Sequence, residues 1–170
     1  MRQFTITLLS LLLVACTAGT GYQYPTGYPA LPVLSTVTLN REFNIQPHRA
    51  SEYIQYGVIT PYNQIVEYYP YCQFELRTVK GTSRTVTPET FIVTGIHRDQ
   101  FMAGFRWQRV ADSGGGDYNM IMSTTVISLH ADRQADVFRL SCMQLDEPYL
   151  ARHVSLDQMR ETLGDLFTLE

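Results

Sequence analysis

Residues Ile65–Thr78 read IVEYYPYCQFELRT, and their spacing decides what kind of fold to expect. Side chains on a β-strand alternate between two faces, so every second residue shares a side. Counting by twos puts Val66, Tyr68, Cys72, Phe74 and Leu76 on one face, and Glu67, Gln73, Glu75 and Arg77 on the other. The pattern is that of a half-buried strand, apolar inward and polar outward. Pro70 falls inside it and has no N–H for a ladder, so an edge strand or a bulge is expected there.

The same β-type texture extends in both directions. Val33–Leu39 and Tyr53–Thr60 precede the central stretch, and Thr90–His97, Phe101–Gln108, Met120–Leu129 and Val137–Leu145 follow it. Turn-forming segments divide them, among them Lys80-Gly81-Thr82-Ser83 and the glycine-rich Ala111–Asp117 (ADSGGGD). In Val137–Leu145, Phe138, Leu140 and Cys142 share a face. Only the last segment changes period. From Ser155 to Phe167, Leu156, Met159, Leu163, Leu166 and Phe167 share one helical face, and Ser155 with Gln158 makes a capping-box pair. Asp157 near the helix start suits its dipole. The expected fold is mainly β: a sandwich-like or strongly bent antiparallel sheet of about seven strands, with one C-terminal α-helix over a face or end. Residues 33–170 suit one β-rich domain.

The chain begins differently. Arg2 precedes an uncharged apolar run, Phe4–Val14, which is shorter than the roughly 20 residues a permanent membrane helix needs. A basic start, a short apolar run and a small residue before the cut describe an export signal. The run ends in Leu13-Val14-Ala15-Cys16. This tetrapeptide resembles the lipobox of bacterial lipoproteins. The resemblance implies that residues 1–15 are a signal peptide and that Cys16 receives a diacylglyceryl group as the first mature residue. Thr17, where enteric-type lipoproteins kept in the inner membrane carry aspartate, implies export to the outer membrane with the domain facing the periplasm. Residues 16–32, with no charge and several Gly, Pro and Tyr, then read as a lipidated cysteine and flexible tether. Residues 53–76 also bear a faint likeness to proteobacterial envelope proteins, from which no residue role follows.

Charge narrows the partners. The formal net charge is −3, and losing Arg2 with the signal makes it −4. Lys80 is the only lysine and the arginines are scattered, so nucleic acid is not an expected partner and no basic patch assists the lipid anchor. With Cys16 assigned to lipid, Cys72 and Cys142 remain. An exported chain sits where disulfides persist, so these two are expected to bond. Such a link closes a loop of about 70 residues and contributes about 4 kcal/mol on the chain-entropy model. Two reduced core cysteines are the alternative. A metal site is disfavoured because neither cysteine has another ligand at metal-binding spacing.

No catalytic motif stands out. Gly-x-Ser-x-Gly does not occur, the glycines after Ser113 lack the Lys-Ser/Thr of a phosphate loop, and His130 with Asp132 and Asp136 reads as a solvated turn rather than a metal site. The chain is therefore expected to be non-enzymatic and to need no cofactor. The one concentration is tyrosine, with six of eleven between Tyr53 and Tyr71. Tyr53, Tyr56, Tyr62, Tyr69 and Tyr71 are candidate partner-binding residues, because tyrosine joins large area to a polar tip. Alternation places Tyr69 and Tyr71 outward. These features suggest a lipid-anchored structural or accessory subunit of an envelope assembly, with a protein partner. A glycan or peptidoglycan module built on residues 53–71 is the first alternative, and a hydrolase with a dispersed site the second.

Overall fold

The computed structural model describes residues 31–104 and 119–170. The signal segment, Cys16, most of the tether, the Phe105–Gln108 end of the expected fifth strand and the Ala111–Asp117 loop lie outside the described residues.

The domain is a curled antiparallel sheet of eight strands with one C-terminal helix. In chain order the strands are β1 (Thr36–Leu39), β2 (Phe43–Ile45), β3 (Ser51–Gln55), β4 (Val58–Thr60), β5 (Tyr71–Leu76), β6 (Arg84–Val86), β7 (Glu89–Gly104), β8 (Asn119–His130) and β9 (Val137–Asp146). Helix α1 (Leu156–Leu163) and strand β10 (Phe167–Leu169) complete the chain. The main sheet runs β10-β1-β7-β8-β9-β5-β3-β4, and β2 pairs with β6 in a separate ribbon. Helix α1 touches β10 at one end of this order and β3 and β5 near the other. A single eight-residue helix can meet both only if the sheet wraps around it.

Two glycines close that wrap. The β3–β4 turn is Tyr56-Gly57, with φ of 54° and 76°, the left-handed pair that a two-residue hairpin of primed type requires. Gly57 N–H donates to the Thr162 carbonyl at 2.9 Å, docking the turn on the last helical turn. A Cβ on Gly164, which caps the helix at φ 52°, would lie 2.8 Å from the Gly57 Cα. Neither backbone could come so close with a side chain between them.

The face under α1 is the main core. Phe74 packs against Phe43, Phe91 and Phe167, with ring centroids 5.4, 5.9 and 5.6 Å away. Met159, Leu163 and Leu166 cover this cluster from the helix side. Cys72 stands directly opposite Cys142 in the β5–β9 pair, and the two are bonded, with Cα atoms 4.0 Å apart. The expected disulfide therefore joins neighbouring strands. In β7 the register slips between Val93 and Gly95. The extra residue, Thr94, changes the phase, so that Phe91, Val93 and Ile96 all serve the same core.

Several boundaries differ from expectation. Of Ile65–Thr78 only Tyr71–Leu76 is strand; residues 65–70 form a loop, and Val66 and Tyr68 are exposed rather than inward. Tyr53–Thr60 is a hairpin, not one strand. Thr90–His97 and Phe101 onward belong to the single long strand β7, because both continue to pair with β8. The helix ends at Leu163, where Gly164 takes the chain out of helical geometry, and Phe167 continues as β10. The buried Leu31 belongs to the core, so the domain reaches into the expected tether. The Ser155–Gln158 capping box forms as expected. Among the described residues no helix is long and apolar enough to cross a membrane.

Candidate functional site

The site is built on the face of the sheet opposite α1, and its keystone is Gln55. This side chain is 2% exposed at the end of β3. Its Oε1 accepts the Val66 N–H at 3.1 Å, and its Nε2 donates to the Val66 carbonyl at 3.0 Å, with the Tyr69 and Pro70 carbonyls at 3.4 and 3.3 Å. One amide thus takes up the backbone groups that a strand partner would otherwise satisfy. The Leu145 N–H donates to the Glu67 carbonyl at 2.8 Å, tying the same loop to the end of β9. Residues 61–70 are thereby held across the sheet, with Ile65 packed on Tyr71, Met120, Met122 and Leu145.

Loop and sheet leave a cleft of about 350 Å³ between them. Tyr53, Tyr62 and Tyr71 line one part, Phe101, Met122 and Met143 another, and Glu67 and Gln73 supply polar groups. The Tyr53 ring centroid lies 5.0 Å from that of Tyr62 and 6.3 Å from that of Tyr71. Tyr62 donates its hydroxyl to Glu67 Oε1 at 2.6 Å, and this bond pushes its phenol up to about 12. Burial raises the Tyr71 phenol well above the ordinary tyrosine range, with the Glu67 charge adding to it. Burial raises Tyr53 too; the nearby charges of Glu75, Glu52 and Glu67 add to this and Arg49 offsets it in part. Beyond Gln73, Glu75 is held by Arg139 through two bonds of 2.8 and 3.0 Å.

No protein family, no curated protein and no solved structure matches this chain. The reading of the site therefore rests on its geometry.

The five candidate tyrosines divide into two groups. Tyr53, Tyr62 and Tyr71 meet in the cleft. Tyr56 and Tyr69 pack on one another outside it, ring centroids 6.3 Å apart, and remain 62% and 56% exposed. The expectation that Tyr71 points outward is wrong: it is 3% exposed, because the loop before it folds back over its side of the sheet. Tyr56 occupies a left-handed position that costs a residue with a side chain energy, so a tyrosine there is a local sacrifice. Gln55, Met122, Met143 and Phe101 were not singled out by sequence. The available signal was Tyr56-Gly57 between two short β-runs, which marks a hairpin and places Gln55 at its shoulder.

Two other places gather polar groups. A crevice of about 10 Å³, room for about one water, lies between Leu31, Ile96, Arg98 and Thr125. Nearby, burial lowers the pKa of His153, and the positive charge of Arg98 acts in the same direction. His130 Nε2 lies 3.3 Å from Asp132, whereas Asp136 turns away to bind Arg84 and Thr78. The three residues of the His130 turn are thus not assembled into one ligand set.

Proposed function

We propose that this chain is a lipid-anchored protein on the periplasmic side of the outer membrane. It would serve as an accessory subunit of an envelope assembly, docking its protein partner through the tyrosine-rich segment. The anchor rests on Leu13-Val14-Ala15-Cys16. One observation carries the docking surface: Tyr56, Val58, Tyr62, Val66, Tyr68 and Tyr69 are all exposed along the β4 edge and the adjoining loop. Scattered apolar residues on a surface are ordinary, but six gathered on one edge are the composition of an interface centre.

Crosslinking in the intact envelope followed by pull-down should recover one stoichiometric membrane partner. Replacing Tyr56 and Tyr69 together by alanine should cost about 2 kcal/mol of that binding, on hot-spot magnitudes, with the fold kept because both rings are outside the core. A folded double variant with full binding would move the interface off this edge. Cys16→Ala should separate anchoring from docking: fatty-acid label is lost from the chain while the partner is still bound in detergent. Label persisting on that variant would place the anchor elsewhere.

A glycan-binding alternative would use the ring faces of the same segment. The exposed rings of Tyr56, Tyr62, Tyr68 and Tyr69 favour it, and binding of peptidoglycan fragments without any protein partner would support it.

A further inference from the structure

Among the described residues, Glu67 is the one formally charged side chain lining the cleft, and none of them brings an arginine, lysine or histidine within ion-pair distance of it. The other carboxylates of this side of the sheet are occupied or lie beyond it; Glu75, for instance, is clasped by Arg139. The neutral polar groups of the cleft are also largely committed. Tyr62 donates to Glu67, Gln73 donates to Ser51 Oγ at 2.9 Å, and the Tyr71 hydroxyl is directed at the Met122 sulfur at 3.8 Å. A sugar, which presents many hydroxyls, would find few partners here. A carboxylate set beside three phenol rings, with two thioethers behind them, offers something else. Ring faces carry negative potential and attract cations without hydrogen bonds, and thioethers accommodate alkyl groups.

We infer that the cleft binds an alkylammonium group, with its charge against Glu67 and the faces of Tyr53 and Tyr62 and its alkyl part toward Met122 and Met143. The volume of about 350 Å³ is at the small end of ligand sites and fits a quaternary ammonium or the end of a lysine side chain. Burial is the main cause of the raised Tyr53 phenol, and the carboxylates that add to it, Glu67 among them, also favour a cation. In the bound state Tyr62 holds the carboxylate in place, so binding would not require the loop to rearrange.

The test titrates the full chain with choline, with butylammonium as the lysine-like probe, and with 3,3-dimethylbutan-1-ol, the uncharged counterpart of choline. Methyl signals of Met122 and Met143 report the site. At least one cation should saturate these signals in the millimolar range, at least about ten-fold tighter than the alcohol. Tighter binding of butylammonium would identify a side chain of a protein as the natural source, and tighter binding of choline a free or lipid-borne quaternary amine. Glu67→Gln should weaken the preferred cation by about five-fold or more. Equal affinity for the alcohol, no saturation by roughly 50 mM, or unchanged binding in folded Glu67→Gln would each overturn the inference. So would methionine shifts produced by an N-acetylglucosamine glycoside but by neither cation, which would give the cleft to a glycan. Tyr56 and Tyr69 lie outside the cleft, so failure here and failure of the docking surface are separate results.

Discussion

Strand β5 has two faces that are sealed in different ways. Phe74 and Cys72 lie under a capped helix, among phenylalanines from β2, β7 and β10, with a disulfide to β9. Tyr71 and Gln73 lie under a ten-residue loop that is held by the side chains of Gln55 and Gln144, by one backbone bond from Leu145 of β9 and by three backbone bonds of its own turns. The first arrangement holds a crevice with room for about one water; the second leaves a cleft of about 350 Å³. Burial by a regular element fills a face, because the rows of side chains on a helix and a sheet interlock. A loop satisfied mainly through its backbone contributes few side chains to fill the space beneath it. Stability is therefore expected to reside on the helix side and binding on the loop side.

The strongest way to break that division is Phe74→Ala. The ring is wholly buried and meets three other phenylalanines, so its removal should cost about 3–5 kcal/mol in denaturant unfolding. Affinity of the cleft for its probe, measured where the variant is still folded, should change little. A cost below about 1 kcal/mol would mean that the aromatic cluster is not the main core.

The helix side was legible in the sequence and the loop side was not. Alternation in Tyr71–Leu76 identifies Cys72, Phe74 and Leu76 as the inner set, and the Ser155–Gln158 spacing identifies the helix start, because both signals are local. Alternation also ranks Tyr71, Gln73 and Glu75 as the more polar face, which is true, and from this Tyr71 seemed to belong outside. Whether a polar face stays open depends on a contact eleven or more residues away along the chain. Here it is the amide of Gln55 reaching Val66 and Pro70, and a glutamine within a β-type run carries no mark of such a role. The merging of two expected strands into β7 was hidden because the polar run Arg98-Asp99-Gln100 interrupts the apolar pattern between them, although it pairs without a break with Thr125, Thr124 and Ser123 of β8.

The next test acts on that amide. Gln55→Ala leaves the Val66 N–H and three loop carbonyls without their partner, which should cost about 1–3 kcal/mol. The effect should be uneven. Hydrogen exchange at the Val66 amide should rise by far more than exchange in β8 or β9, and cleft affinity should fall even in conditions where the sheet is intact. Equal loss of protection throughout the domain would show that the loop is part of the same cooperative unit as the core, and the division would fail.

The smallest expected effect comes from the other side, at the start of the helix. Ser155 Oγ accepts the Gln158 N–H at 3.2 Å, and Gln158 Oε1 accepts the Ser155 N–H at 2.9 Å. Ser155→Ala removes the first of these and leaves one donor of the first turn without a partner, a loss of about 1 kcal/mol. Because α1 covers only the aromatic face, the added exchange should appear in α1 and in the β10 segment that follows it, while Val66 and the methionine signals of the cleft stay unchanged. The helix end at Gly164 touches the hairpin turn at Gly57, and this turn carries Tyr56 and leads back to Gln55. That contact is a direct route by which fraying of α1 could reach the loop side. If Ser155→Ala alters cleft affinity, the two faces are coupled through the glycine contact, and Gly164→Ala, which puts a methyl into the closest approach, should alter it further in the same direction. If it alters helix exchange alone, the two sides of the sheet are energetically separate.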